Sequence, residues 1–418
     1  MTSRSILLKL QSRSYPLVVI SLCAAFLFYK YILQNYPSIM TFPLMAEFNL
    51  TGAGLGNLAA MFFYTYVITQ FFVGVLIDKY SIRWLTASAI LGCSIGMLLF
   101  AETHSLWAAT LARAIMGVGV AFATIAYMKS AAVWFPPKHY AFVSGLLGSA
   151  AMAGAVFGQA PLAFLVNTLG WRQCLFTVGF AGIALSALFI FIVRDHSKQE
   201  VIHHPISLKD IKCLVKNKQN WLLTLYSGLA FSPLAIFGGL WGNPFLQLAY
   251  QLSGEQTATM ISLSFIGFGI GCPILGTISD RLQNRRHVMF VGTLMSAIAL
   301  TLVLYCHPMP AWLLSTLLFT FGFGLGAFML VFAIGKEVNS IALTATITAM
   351  INSGDAVLDA LTEPAIGKFL DLQWNGTLTN GAPVFSLHSY HTALSTLPIY
   401  LLVATILLLW IKEAPEKQ

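Results

Sequence analysis

The chain has 418 residues, of which 57% are hydrophobic and 9% charged, and its mean hydropathy is +0.78. A soluble domain carries about 25% charged and about 45–50% apolar residues, so this composition excludes a soluble globular protein and predicts one that lies in lipid. The formal net charge of +8 does not indicate nucleic-acid binding, because the basic residues are distributed along the chain as an orientation signal.

Apolar runs separated by polar breaks predict twelve transmembrane helices, spans 1 to 12, and therefore an all-α membrane protein. Basic residues precede span 1 as in a signal peptide, but the apolar run continues past Leu33 without a cleavage site, which predicts a retained helix. The spans cover roughly residues 15–38, 54–77, 85–102, 106–131, 140–166, 173–193, 221–249, 257–279, 287–306, 311–334, 342–369 and 391–411.

The loops on one side of these spans carry 18 of the 23 Lys and Arg residues. By the positive-inside rule, both termini are therefore predicted to be cytoplasmic. The long polar stretch 194–220 lies on the same side and separates six spans from six. It predicts an N-terminal six-helix bundle at 1–193, a cytoplasmic linker at 194–220 and a C-terminal six-helix bundle at 221–418.

The six cysteines are scattered without a Cys-x-x-Cys pair, so the sequence predicts neither disulfides nor a zinc site. It also contains no soluble catalytic motif, phosphate-binding loop or metal-ligand cluster. We therefore expect no enzyme activity, no cofactor and no metal, and an ion gradient is a simpler source of energy than ATP.

One charged motif occurs twice, after span 2 and after span 8, as Gly74-Val-Leu-Ile-Asp78-Lys79 and Gly276-Thr-Ile-Ser-Asp280-Arg281. The two aspartates are 202 residues apart, which indicates two similar halves, and parallel repeats characterise a large class of secondary transporters. We predict that the motif charges form a cytoplasmic gate in which Asp78 caps the N-terminus of span 11. The alternative is that they only solvate tight turns, and the second copy favours the gate. The predicted gating residues are Asp78, Lys79, Arg83, Asp280, Arg281 and Arg285.

Ionisable residues inside the spans mark candidate functional sites, because a charge in hydrocarbon costs at least about 2.5–3.5 kcal/mol. Lys30 and Arg113 lie in the N-terminal half. In span 11, Asp355, Asp359 and Glu363 recur every four residues and share one face of the helix. The separation of basic charge in one half from acidic charge in the other half is the strongest indication of the chemical class of the substrate.

Three interpretations of these charges are open. In the first, Lys30 or Arg113 binds a carboxylate and the span 11 acids bind an ammonium group, as a zwitterionic amino acid requires. In the second, one of Asp355, Asp359 and Glu363 carries a coupling proton. In the third, the charges pair with each other and hold the halves together. Like charges one helical turn apart make a poor structural contact unless one is protonated, which favours the proton role.

Aromatic and amide side chains complete the predicted substrate site. In span 7, the glycines of Gly238-Gly239 and Gly242-Asn243-Pro244 interrupt the apolar run, and broken helices in membranes face protein or a water-filled cavity. The predicted substrate-binding residues are Lys30, Tyr31, Asn35, Tyr64, Arg113, Trp241 and Asn243.

The duplicated motif resembles the loop 2–3 signature of the major facilitator superfamily. Arg113-x-x-x-Gly117-x-Gly119-x-Ala121 resembles the fourth-helix signature of that family, and Gly170-Trp171-Arg172 is similar to the end of its fifth-helix pattern. The Gly-Pro-x-x-Gly-Gly of many drug/proton antiporters is absent, since Gly158-Gln-Ala-Pro161 stands there, and this disfavours an exporter. The resemblance implies the major facilitator fold of two six-helix bundles.

Short sequence motifs along nearly the whole chain resemble those of the proteobacterial intraphagosomal nutrient transporters, which are usually described as amino-acid importers. They include Trp134-Phe135-Pro136-Pro137, Leu240-Trp241-Gly242-x-Pro244 and Lys336-Glu337-x-Asn339. The resemblance implies an inner-membrane importer, functional as a monomer, that takes up a small polar nutrient by proton symport, with an amino acid as the first candidate. The alternatives are a polycarboxylate siderophore or a nucleoside as substrate, and a transport-like membrane sensor.

Overall fold

The structure, a computed structural model, describes residues 3–194, 214–339 and 343–413. Within these ranges the side chains of 3–13, 71, 75, 78, 137–142, 144–145 and 344–345 lie outside the description. Most of the predicted linker, 195–213, is likewise outside the described residues.

The N-terminal half is formed by eight helices whose apolar residues are mostly buried against one another. Two of them, the short α2 and α7, flank longer helices. The bounds are α1 (Ser3–Ile39), α2 (Thr41–Glu47), α3 (Gly52–Lys79), α4 (Ile82–Glu102), α5 (Leu106–Trp134), α6 (Pro137–Phe157), α7 (Ala160–Leu169) and α8 (Trp171–Ile192).

The C-terminal half follows the same order of long helices with more local irregularity. A π-helical segment at Phe237–Trp241 joins its first two helices, and a 3₁₀ turn at Gly326–Met329 joins α13 to α14. The bounds are α9 (Lys218–Ile236), α10 (Gly242–Tyr250), α11 (Gly254–Leu282), α12 (Arg285–Tyr305), α13 (Ala311–Leu325), α14 (Leu330–Glu337), α15 (Thr344–Leu372), α16 (Leu387–Leu394) and α17 (Thr396–Leu407).

Each of the twelve predicted spans coincides with helix in the described residues, so the predicted fold class is confirmed. Ten helical segments there are long and apolar enough to cross a membrane, and α3 and α15 complete the set of twelve. Four spans are irregular: spans 5 and 12 divide into two helices each, and spans 7 and 10 change their helical pitch.

The irregular points have local causes. Span 5 breaks at Gly158-Gln159 because Pro161 follows within the first turn of α7, where the missing proline N–H is tolerated. In span 7, a Cβ at Gly238 would lie 2.5 Å from the Phe265 ring, and one at Gly242 would overlap the Phe237 carbonyl. Glycine at these positions therefore permits the π-helical turn. The predicted interruption of span 7 is a change of pitch within a continuous helix.

The two bundles meet most extensively where α3 lies against α15. We call the end of the molecule at which α3 ends and α4 begins the motif end, and the end at which α3 begins the opposite end. At the opposite end, a Cβ on Gly52 would lie 2.6 Å from the Gly367 carbonyl, and a Cβ on Gly56 would overlap the Glu363 carbonyl. These glycines let the two backbones touch, as small residues do between membrane helices.

A short hairpin lies after α15 at the opposite end. Strands β1 (Leu378–Thr379) and β2 (Ala382–Pro383) pair antiparallel. They are joined by Asn380 and Gly381, whose φ values are +51° and +82°. Positive φ at both central residues suits the two-residue hairpin turn that Asn-Gly favours. Because Gly381 packs near Ala46 of α2, the hairpin links the two halves at this end.

We predict that Gly367→Ala separates the bundles at the opposite end, because the added Cβ would overlap the Gly52 carbonyl. Overpacking of this kind destabilises by about 1–3 kcal/mol. The measurement is the distance between spin labels on the exposed positions Trp107 and Trp312, one in each bundle, and it should lengthen. The control is Gly92→Ala, where an added Cβ meets no atom within 4 Å. Identical distances in the two variants would contradict this account of the contact.

Candidate functional site

A small polar cavity lies between the two bundles, halfway along the helices. It has a volume of about 40 Å³, and its walls come from α1 and α3 of one half and from α9 and α15 of the other. The space suffices for water-sized molecules, and a larger ligand requires the surrounding helices to move. The lining residues are Lys30, Tyr31, Gln34, Phe62, Phe63, Tyr66, Phe231, Asn352, Asp355, Ala356 and Asp359.

Lys30 is the basic group of this cavity, and it is 7% exposed. Its ammonium lies over the rings of Tyr31 and Tyr66, with Nζ 5.2 and 4.7 Å from the two ring centroids. Its hydrogen bond goes to the Tyr66 hydroxyl at 3.5 Å. Cation–π contacts of this kind contribute about 0.5–2 kcal/mol, less than a carboxylate partner would. Lys30 can therefore bind an anion that enters the cavity.

The three acids of span 11 lie along α15 at increasing distance from the motif end. Asp355 accepts a hydrogen bond from Ser227 at 3.5 Å, and both Asp355 and Asp359 line the cavity opposite Lys30. One oxygen of Asp359 and one of Glu363 are buried without a hydrogen-bond partner in the described part of the chain. A buried unpaired carboxylate oxygen is costly, and protonation or a cationic ligand would relieve it.

Arg113 is not brought to the cavity. Its guanidinium is 1% exposed and donates to the carbonyls of Leu33 at 2.8 Å, Ala59 at 2.9 Å and Leu58 at 3.4 Å. It also lies over the rings of Tyr36 and Phe62. The three carbonyls belong to α1 and α3, so Arg113 ties three helices of the N-terminal bundle together.

Span 7 contributes a buried amide cluster on the opposite-end side of the cavity. The Asn243 amide donates to Ser38 Oγ and to Gln159 Oε1, both at 2.9 Å, and Gln159 donates to the Gly238 carbonyl at 2.7 Å. These bonds connect α1 and the α6–α7 break of one half to the π-helical segment and the start of α10 in the other. The amide oxygen of Asn35 is 3.4 Å from a Cβ position at Gly239, beside this cluster.

The remaining predicted substrate residues divide between cavity and scaffold. Tyr31 lines the cavity. Trp241 is fully buried and donates to the Glu363 carbonyl at 3.3 Å. Tyr64 is partly buried and packs against the hydrophobic core. Trp241, Asn243, Asn35 and Tyr64 are thus not among the residues that line the cavity.

The described contacts of the repeated motif involve one arginine in each half. Arg83 donates to the Ile190 carbonyl at 2.7 Å, and Arg285 forms ion pairs with Asp280 at 3.5 Å and with Glu337 at 2.7 Å. All these contacts stay within one bundle. Lys79 and Arg281 are exposed at the motif end, and the side chain of Asp78 lies outside the described residues.

A charged contact that the sequence analysis did not anticipate closes the opposite end. Both carboxylate oxygens of Asp371, near the end of α15, accept hydrogen bonds from the first N–H groups of α3, Gly52 at 2.6 Å and Ala53 at 2.8 Å. A carboxylate at a helix N-terminus satisfies unpaired donors and complements the helix dipole. Here the helix belongs to the other bundle.

Two polar cavity residues, Gln34 and Asn352, were also missed. Only their helical phase relative to Lys30 and Asp355 could have singled them out. Gln159 carried one sequence signal, since it stands at the Gly158–Pro161 break of span 5.

Comparison with known proteins agrees with this architecture. A family model described as the Major Facilitator Superfamily matches residues 18–361, most of the chain. Two six-helix bundles around a shared polar cavity, together with this match, define a multi-pass membrane protein of a transporter family. The chain belongs to the major facilitator superfamily.

Individual relatives are distant. The chain is 24% identical to the probable L-galactonate transporter of Escherichia coli (strain K12), over 66% of this chain and 65% of that one. It is 23% identical to the membrane sensor protein UhpC of Salmonella typhimurium, over 58% and 59%. The chain thus spans less than two thirds of either relative. A bacterial homologue of the human lysosomal transporter Spinster, crystallised inward-facing and unoccupied, superposes with a TM-score of 0.78 over 95% of this chain and 97% of that one at 14% identity.

We predict that Asp371→Asn weakens the closure of the opposite end, because the amide loses the negative charge and one of the two acceptors that cap α3. The loss should be about 1 kcal/mol and should lengthen the distance between spin labels at positions 107 and 312. Glu255→Gln is the control, since Glu255 lies in the first turn of α11 at the same end and caps no helix of the other bundle. An unchanged distance in Asp371→Asn would show that the carboxylate does not hold this end.

Proposed function

We propose that this protein is a proton-coupled importer of a small zwitterionic nutrient, with an amino acid as the first candidate. The observation that carries the proposal is the shared cavity, into which one half contributes the Lys30 ammonium and the other half the carboxylates of Asp355 and Asp359. A molecule with a carboxylate at one end and an ammonium group at the other has the complementary charges. Binding it would draw on both bundles at once.

The anion end of the substrate is assigned to Lys30. Arg113, the other candidate, uses three of its five donors on backbone carbonyls, and at 1% exposure it is not among the residues that line the cavity. Lys30 makes a hydrogen bond to one phenol and lies over two aromatic rings, with the carboxylates of Asp355 and Asp359 across the cavity. The named activity of one relative, transport of L-galactonate, supports a carboxylate in the substrate, since galactonate is a carboxylate.

The proton is assigned to the acids of α15. Asp355 and Asp359 face the same small cavity one turn apart, and Asp359 is 2% exposed with an unpaired oxygen. Two carboxylates this close in a water-poor site are most stable when they share a proton. Glu363, further toward the opposite end, is the third candidate for the same step.

Transport is proposed to proceed by alternating access between the two bundles. The bundles touch through glycines and the Asp371 cap at the opposite end, which suits a state closed there. The motif residues would close the other end in the alternate state, through Asp78, Lys79 and Arg83 in one half and Asp280, Arg281 and Arg285 in the other. The positive-inside rule predicts that the motif end faces the cytoplasm. The resemblance to the intraphagosomal transporters implies the inner membrane of a bacterium and a monomeric working unit.

Two other functions stay open. A polycarboxylate such as a siderophore, or a nucleoside, would also use a basic and polar cavity. Importers of both are related to the intraphagosomal transporters that the chain resembles. A membrane sensor is the alternative from another class, and the relative named as the sensor protein UhpC favours keeping it. A sensor would bind its ligand without net flux.

The test of the substrate class is uptake into proteoliposomes under an inward proton gradient. Radiolabelled amino acids, a nucleoside and an iron–citrate chelate are offered separately, with Lys30→Met protein and protein-free liposomes as controls. We expect one or a few amino acids to accumulate and Lys30→Met to abolish the accumulation. Uptake of only the nucleoside or the chelate would replace the amino-acid proposal, and binding without uptake would favour the sensor.

We predict that Asp355→Asn or Asp359→Asn abolishes accumulation of the substrate while sparing its exchange across the membrane. An amide cannot carry the proton, so the gradient no longer drives uptake, but alternating access with substrate bound continues. Counterflow and gradient-driven uptake are measured on the same preparation. Glu102→Gln, an exposed acid at the end of α4, serves as the control. Normal accumulation in both α15 variants would refute the proton assignment.

A further inference from the structure

Tyr66 lies where three membrane helices meet around the cavity. Its hydroxyl accepts a hydrogen bond from Lys30 Nζ at 3.5 Å and another from Asn352 Nδ2 at 3.3 Å. Lys30 and Tyr66 belong to α1 and α3 of the N-terminal bundle, and Asn352 belongs to α15 of the C-terminal bundle. One phenol therefore connects the cavity's basic group with the other half of the protein.

In the described contacts of this phenol, its O–H donor has no hydrogen-bond acceptor. A tyrosine hydroxyl has two lone pairs and a single O–H donor. The Lys30 ammonium and the Asn352 side-chain N–H both donate, so they occupy the lone pairs. The hydroxyl proton of Tyr66 remains, and the residue is 5% exposed and lines the cavity. The cavity thus offers two neighbouring donors, an ammonium and a phenol.

The bond between Tyr66 and Asn352 also differs in position from the other bonds between the bundles. In the described residues, the remaining cross-bundle hydrogen bonds lie toward the opposite end. They comprise the Asp371 cap, the amide cluster around Gln159 and a bond from the Ala160 N–H to Ser262. Of these cross-bundle bonds, the Tyr66–Asn352 bond is nearest to the motif end.

We propose that the Tyr66 hydroxyl and the Lys30 ammonium together bind one carboxylate group of the substrate, and that Asn352 transmits this binding to the C-terminal bundle. The inference rests on the proposed function and specifies how the carboxylate group of the proposed substrate is bound. When the Tyr66 O–H donates to a carboxylate, its oxygen becomes a better acceptor for Asn352, because hydrogen bonds in a chain polarise one another. The occupied site therefore draws the two bundles together at this level.

The first test removes only the hydroxyl, with Tyr66→Phe. The phenylalanine ring keeps the aromatic face beside Lys30, so the lysine stays packed as before. Loss of a hydrogen bond to a charged group should weaken binding of a carboxylate ligand at least about tenfold. The control is Tyr29→Phe, which removes another buried hydroxyl whose bond, to Ser94 at 3.5 Å, stays within one bundle.

Binding is measured by thermal shift of the purified full chain against each of the twenty amino acids and against lactate and gluconate. For each ligand that binds, its carboxamide is tested as well. We expect Tyr66→Phe to weaken the carboxylate and leave the affinity for the carboxamide nearly unchanged, while Tyr29→Phe alters neither. Wild-type affinity of Tyr66→Phe for the carboxylate, or an equal loss for both forms, overturns the proposal.

The second test separates binding from its transmission. Asn352→Leu leaves the Tyr66 hydroxyl in place and removes its partner in α15. Spin labels on the exposed positions Tyr80 and Leu282, one in each bundle at the motif end, report the distance between them. We expect the bound carboxylate to shorten this distance in the unmodified background. In Asn352→Leu we expect the shortening to be lost and the affinity to fall less than in Tyr66→Phe, because coupling between the Asn352 bond and the ligand acts in both directions. A retained shortening overturns the transmission step.

Failure of the carboxylate-site proposal can be distinguished from failure of the proposed function. If no amino acid binds but lactate or gluconate does, with the same dependence on Tyr66, the amino-acid assignment fails and the carboxylate site stands. If amino acids are transported normally by Tyr66→Phe, the function stands and the site proposal fails. If neither amino acids nor the two other carboxylates bind, the carboxylate site is overturned.

Discussion

The free-energy cost of an unpaired charge in a membrane interior is the constraint on which this structure depends. Removing an ammonium or a carboxylate from water costs several kcal/mol unless water or a partner remains nearby. This protein keeps Lys30, Asp355 and Asp359 at the junction of its two bundles, where they line a polar cavity. The charges are therefore incompatible with a static apolar core and compatible with a site that fills and empties.

The contrast between Arg113 and Lys30 shows how the same fold uses charge for two purposes. A guanidinium presents five donors in a fixed plane, and three carbonyls from two neighbouring helices accept hydrogen bonds from three of those of Arg113. An ammonium with aromatic faces around it has weaker partners and exchanges them readily. Structural charge is thus satisfied by backbone, whereas the cavity charge is held by groups that a ligand can displace or join.

The contacts between the bundles are also of two kinds. At the opposite end, glycine backbones touch and Asp371 caps a helix of the other half, so closure there depends on shape and on a helix dipole. Around the cavity the bundles are joined by single hydrogen bonds such as that between Tyr66 and Asn352. At the motif end, the described contacts of Arg83 with a carbonyl and of Arg285 with two acids stay within one bundle each.

The sequence by itself determined the twelve spans, the two halves and the charged positions, because hydropathy and the cost of buried charge act locally along the chain. It also placed Asp355, Asp359 and Glu363 on one face, since helical periodicity is a local property. Only the tertiary structure decided that Lys30 reaches the cavity while Arg113 does not, that Tyr66 and Asn352 meet, and that Asp371 caps α3. Those outcomes depend on the rotation of each helix about its axis and on the docking of one bundle against the other, which no single segment encodes.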